Sequence, residues 1–139
     1  MLLTKECDYG IRTIRSLADG EKKTIGEICE QERIPVPYAY KISKKLERAG
    51  LIKSLRGRNG GYQLDKSLHL FTLFDIIVAI DERLFIFKCL DDGNPCQFHS
   101  EEDPCAVHLE LERLQMLLVQ EMQLKTMREV LQREPSSSP

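Results

Sequence analysis

The sequence predicts a mainly α-helical fold with one small β-hairpin and a long C-terminal helix. Three observations carry this. Apolar residues recur at helical spacing over most of the chain. One Gly-rich stretch, LIKSLRGRNGGYQL at residues 51–64, reads instead as two short strands around a turn. After Pro104, leucines repeat at seven-residue intervals over roughly 30 residues that hold no Pro or Gly.

The elements follow in order. Thr4 can cap a first helix that runs to Asp19–Gly20, where glycine stops it. Cys7, Ile11, Ile14 and Ala18 form its buried stripe, and Asp8, Arg12 and Arg15 lie on another face. Thr24 and Glu27 have the spacing of a capping box, and Ile25, Ile28 and Cys29 make the apolar side of the second helix. Ile34-Pro35-Val36-Pro37 breaks the chain, because proline is tolerated only at a helix start. A third helix is expected from about Pro37 to Ala49, ended by Gly50, with Ala39, Ile42, Leu46 and Ala49 facing inward. Tyr38, Lys41, Lys45 and Arg48 share one outer strip, with Tyr40 and Lys44 beside it.

Strands are expected at Leu51–Leu55 and Tyr62–Leu64, around a basic tip at Arg56–Gly61. Thr72 caps a short helix, LFDIIVAID. Residues 82–104 read as irregular. A single helix over 105–133 would be some 45 Å long at 1.5 Å per residue. Leu111, Leu114, Leu117, Leu118, Met122, Leu124, Met127, Val130 and Leu131 line it. So long a stripe in so small a chain calls for a helix from a second subunit. The expected organisation is a DNA-binding winged helix–turn–helix over 1–81, a cysteine-rich sensor loop over 82–104, a dimerisation helix over 105–133 and a disordered tail over 134–139.

Composition and charge narrow the function. The chain has 42% hydrophobic residues and a mean hydropathy of −0.32, with no apolar run near the ~20 residues of a membrane span. Charges fall where a signal peptide needs an apolar core, so a cytoplasmic protein with no membrane partner is expected. The net charge of −2 hides an asymmetry. Residues 1–66 carry 14 Lys+Arg against 9 Asp+Glu, and residues 67–139 carry 6 against 13. The basic excess sits in the helix–turn–helix and hairpin, the footprint of a double-stranded DNA reader. Pro37, Tyr38, Tyr40 and Lys41 would meet base edges, and Lys44, Lys45, Arg48 and Arg58 would neutralise phosphates. Arg56, Arg58 and Asn59 on the wing reach phosphates or a minor groove. Two-fold symmetry would match a pseudo-palindromic site. The plainer reading makes the same lysines solvated surface on a protein-contact domain. No nucleophile–base pair or phosphate-binding loop is present, so neither an enzyme nor a small-molecule substrate is expected.

Three of the five cysteines lie in CLDDGNPCQFHSEEDPCAVH, spaced C-x6-C-x8-C and followed by x2-H. In a reducing compartment, thiols flanked by Gly, Pro and charge suit Zn²⁺ or an iron–sulfur cluster, each of which needs about four ligands. Spacing alone favours neither. His108, three residues after Cys105 on the first helical turn, is one candidate for a fourth ligand. His99 and Cys7 are weaker ones.

AGLIKSLRGRNGGYQL, after IPVPYAYKISKKLER and MLLTKECDYGIR, resembles the winged-helix family of the iron–sulfur cluster regulator IscR and the nitric-oxide-sensitive repressor NsrR. The resemblance runs from residue 1 to about 132, and the RG-xx-GGY wing is its most specific motif. It implies a homodimer through the long helix, with DNA read by Pro37, Tyr40, Lys41 and Arg56. It also implies a [2Fe-2S] or [4Fe-4S] cluster on Cys89, Cys96 and Cys105, with His108 or, from the other subunit, Asp8 as fourth ligand. The family's common spacing is C-x5-C-x5-C, and this chain is looser. The expected function is a repressor sensing redox state, nitric oxide or iron. The alternatives are a cluster-free regulator using thiol oxidation or a protein partner, and a metal-binding interaction protein without DNA function.

Overall fold

Threonine hydroxyls cap three of the four helices of the winged half, and prolines mark the start of the other, as the sequence implied. The computed structural model describes residues 3–132. It contains α1 (Lys5–Ser16), α2 (Ile25–Glu32), α3 (Val36–Arg48), β1 (Ile52–Leu55), β2 (Gly61–Leu64), α4 (Leu73–Asp81), a 3-10 turn (Lys88–Leu90), α5 (Ala106–Leu124) and α6 (Met127–Leu131). The Thr4 hydroxyl accepts from the Cys7 amide at the start of α1. Thr24 with Glu27, and Thr72 with Asp75, form complete capping boxes on α2 and α4. α1 ends at Ser16, and the turn after it closes at Gly20, φ 79°.

One core joins α1, α3 and α4. Cys7, Ile14 and Leu17 meet Ala39, Ile42 and Leu46, and Ile76, Ile77 and Ile80 close the third side. Gly10 lets α1 and α4 approach, since a Cβ there would lie 2.9 Å from Ile80 Cγ1. Arg15 grips the buried carboxylate of Glu32 with two nitrogens and so ties α1 to α2.

α3 begins one residue before the expected Pro37, with Val36 first and Pro37 in its first turn. Ala49, expected to face inward, is exposed, because it follows the last helical residue as the cap. Ser43 occupies the buried position instead.

β1 and β2 pair antiparallel, Ile52 opposite Leu64 and Leu55 opposite Gly61. A third strand edge completes the wing, with Lys23 and Tyr62 exchanging backbone hydrogen bonds of 2.9 and 2.7 Å. Gly61 makes that pairing possible. Its φ is 154°, and a Cβ there would lie 2.5 Å from the Lys23 carbonyl oxygen. Gly61→Ala is therefore expected to destabilise the fold by about 1–3 kcal/mol in urea unfolding. Gly57→Ala isolates the backbone part, since Gly57 also has a positive φ but nothing within 4 Å.

The largest departure from expectation is at the C-terminus. The predicted single helix over 105–133 is broken at Lys125 and Thr126, both extended. Thr126 and Glu129 form a third capping box, which starts α6. The first two free amides of α6 are satisfied from the winged core: Met127 N–H donates to Phe71 O at 2.8 Å and Arg128 N–H to Leu68 O at 3.0 Å. Met127 is fully buried there rather than lining a dimer stripe. Arg133 and the expected tail at 134–139 lie outside the described residues.

α5 itself buries none of its residues, and Val107, Leu109, Leu114, Met116, Leu117 and Leu124 are exposed. No helix among the described residues is long and apolar enough to cross a membrane.

Candidate functional site

Two surfaces carry the chemistry, and α4 lies between them. The first is α3 with the wing. The two prolines fix where α3 starts, and its apolar residues seat it on α1 and α4. Pro37, Tyr38, Tyr40, Lys41, Lys44 and Arg48 are all exposed, as are Arg56, Arg58 and Asn59 on the wing tip. The tip is tied to the α1–α2 connection, because the Lys22 ammonium donates to the Asn59 carbonyl oxygen. Tyr38 rests its ring edge-on against Tyr9, centroids 5.3 Å apart, and Arg12 lies 5.9 Å over Tyr9.

Lys45 is different. It is only part-exposed, and its ammonium donates to Ile80 O at 2.8 Å and to Glu6 Oε2 at 3.1 Å. Lys41 donates to the other oxygen of Glu6 at 2.7 Å. The Lys41 hydrogen bond, joined by Lys45, holds the Glu6 carboxyl below the usual carboxylate range. Sequence reasoning missed Glu6, Lys22, Arg33 and Lys53 on this side of the molecule. Arg33, Lys53 and Val36 are exposed, but no motif in the sequence marks them.

The second surface is the cysteine segment. Cys89 sits in the 3-10 turn, and Cys105 caps α5 with its backbone alone. Cys89, Cys96, His99 and His108 line one open pocket of about 450 Å³ against α5, together with Glu112 and Met116. His99 stacks on His108, centroids 3.8 Å apart and planes 14° apart. The His99 Nδ1 accepts from the Cys105 amide at 3.2 Å, which fixes the start of α5. His108 Nδ1 is buried with no hydrogen-bond partner. Gln115 of α5 accepts from the Ile86 amide at 2.8 Å and holds the segment's entrance.

All five cysteines are unbonded, and they divide into two kinds. Cys7 is fully buried and donates to Asp81 Oδ2 at 3.0 Å; burial first, then the nearby carboxylate, pushes its thiol up. Burial does the same to Cys29. Cys7 belongs to the core, and Cys29, though part-exposed, packs against it. Cys89, Cys96 and Cys105 are all part-exposed. Three thiols with an unpartnered imidazole suit a thiolate-bound cluster or zinc in kind. Among the described residues, however, no three His, Cys, Asp or Glu side chains are close enough to hold a metal ion. Asp8, the other candidate ligand, stands on α1 in an ion pair with Arg12 at 2.9 Å.

An exposed Tyr–Lys helix beside an arginine-tipped hairpin, on this core, defines a winged helix–turn–helix protein of the transcriptional-regulator class. The family model described as Rrf2, iron-dependent transcriptional regulator, matches residues 3–133. The chain belongs to the Rrf2 family. It is 35% identical over 95 residues to the protein aau3 of Rhizobium meliloti, an alignment covering 67% of this chain and 62% of that one. It is 31% identical over 100 residues to the HTH-type transcriptional regulator IscR of Vibrio campbellii, covering 70% and 59%. These alignments span under two thirds of the relatives' own length. Among solved structures, the oxidised form of CymR from Staphylococcus aureus superposes with a TM-score of 0.76 at 22% identity, covering 98% of this chain and 100% of that one. That likeness is one of fold.

Proposed function

We propose that the chain is a homodimeric DNA-binding transcriptional regulator, acting as a repressor, whose DNA affinity is set by an iron–sulfur cluster on Cys89, Cys96, Cys105 and His108. The observation that carries the DNA half is the row of exposed Tyr and Lys side chains on α3 beside the braced wing. Support for the cluster comes from the pocket that gathers Cys89, Cys96 and His108, whose Nδ1 is buried without a partner. Bound there, the cluster would supply a redox- and nitric-oxide-reactive centre. His108 is preferred to Asp8 because it lies in the same pocket as two of the thiols, whereas Asp8 is engaged by Arg12. Exposed apolar residues on α5 support dimerisation through that helix.

The coupling runs through α4. Ordering the loop acts on the C-terminal end of α4, where Asp81 accepts from Thr4 and Cys7. The recognition helix is pinned to that same end by Lys45 on Ile80 O. A loop ordered only when ligated therefore biases the seat of α3, and a ligand shifts an equilibrium only through such differential contacts.

The test is anaerobic purification with visible absorption and iron and sulfide assays, followed by duplex binding against salt. Six phosphate contacts give a log–log slope of about −5. A Cys96→Ala protein that keeps both its visible absorption and its DNA response sinks the cluster mechanism. A flat salt response sinks DNA as the ligand and leaves a metal-binding interaction protein.

A second reading, regulation by thiol oxidation alone, is favoured by one observation: the thiols and histidines are not drawn together into a ligand set. A related fold has also been solved in an oxidised form. Protein free of iron and sulfide after anaerobic purification, with DNA binding that responds to peroxide, would establish it.

A further inference from the structure

We infer that Glu6 limits the non-specific DNA affinity of the recognition helix by keeping the Lys41 and Lys45 ammonium groups on the protein. This rests on the DNA-binding reading above. The carboxylate comes from α1 and bridges both lysines, at 2.7 and 3.1 Å. Its side chain is 21% exposed, so it is part-buried under the face that would meet DNA. Lys45 has a second anchor on Ile80 O and does not leave. Lys41 is 57% exposed and sits in the first half of α3, where an approaching duplex would meet it.

Two cations on the outer strip of α3 are thus partly cancelled by one fixed negative charge. An exposed pair such as Lys41–Glu6 is itself weak, so a phosphate could draw Lys41 away. Glu6 would then remain, facing the phosphates and held by Lys45. Either way the helix gains about one contact fewer than its lysine count suggests. The physical effect is selectivity. Phosphate contacts tighten binding to any sequence, and base contacts do not. A regulator that holds one such cation on the protein lowers its background on the genome.

The test uses the full chain and a random-sequence duplex, with affinity measured against salt. Glu6→Gln, which keeps the shape and one acceptor, is expected to bind about five-fold tighter at ~0.15 M salt and to steepen the slope by about 0.9, the value of one added contact. Glu6→Gln combined with Lys41→Gln is expected to bring the slope back to within about 0.3 of the wild-type value, because Lys41 makes the added contact. An unchanged slope in Glu6→Gln with native circular dichroism overturns the inference. So does a double variant that keeps the full added ~0.9, and Glu6→Ala, read the same way, decides if Glu6→Gln does not fold. A wild-type chain with no salt-dependent duplex binding instead overturns the DNA reading, and the inference falls with it.

Discussion

Met127→Ala is expected to destabilise the protein by about 2–5 kcal/mol and to lower its Tm by roughly 10 °C. Met127 is fully buried among core residues of the winged half. Truncation removes its transfer energy and leaves a cavity that backbone bonds prevent from collapsing. Those bonds are Met127 N–H to Phe71 O and Arg128 N–H to Leu68 O, reinforced by the bridge between Thr72 and Thr126. Val130→Ala, on the exposed side of the same helix, should stay within about 0.5 kcal/mol. Paired urea titrations of the two variants give the check. Equal small effects would mean that α6 does not dock on the core.

That docking also marks where the sequence was legible and where it was not. The capping boxes at Thr24–Glu27 and the cap at Thr72 were readable, because polar caps stood against short apolar runs. The same S/T-x-x-E signature at Thr126–Glu129 was hidden inside a leucine repeat that continues helical periodicity through it. Periodicity is blind to a break that keeps phase. Only a tertiary partner, the free carbonyls of Leu68 and Phe71, favours breaking the helix over continuing it. Ala49 shows the same limit on a smaller scale, since the apolar stripe continues one residue past the end of α3.

The candidate sites were legible as residues more than as geometry. Sequence spacing separated Cys7 and Cys29, on apolar stripes, from the three loop cysteines; Cys7 is buried, and Cys29 is part-exposed like the loop three but packs against the core. The helical register sets His108 above Cys105, yet the pocket is lined by His108 with Cys89 and Cys96 and not by Cys105. The stacking of His99 on His108 did not follow, because an irregular loop has no period to read. Lys45 and Lys41 were counted as free cations. Their counter-charge, Glu6, is 39 and 35 residues away, respectively, and no local pattern links them.

The wing is where charge is free to act, and there the second large effect is expected. Arg56→Gln combined with Arg58→Gln should weaken duplex binding about 30-fold at ~0.15 M salt and make the log–log slope shallower by about 1.8. Among the described residues neither arginine has an ion-pair partner, unlike Lys41 and Lys45. The tip is already formed, with Gly60 N–H on Gly57 O at 3.0 Å and Lys22 on the Asn59 carbonyl. Binding therefore spends little on ordering it, and the two guanidinium groups can deliver their full charge. Arg56→Lys with Arg58→Lys separates charge from shape. If the arginines only neutralise phosphates, the lysine pair should restore the slope and most of the affinity. If they read a narrow minor groove, the slope should return while selectivity among sequences stays lost. A double glutamine variant with an unchanged slope would remove the wing from the DNA interface and leave α3 to bind alone.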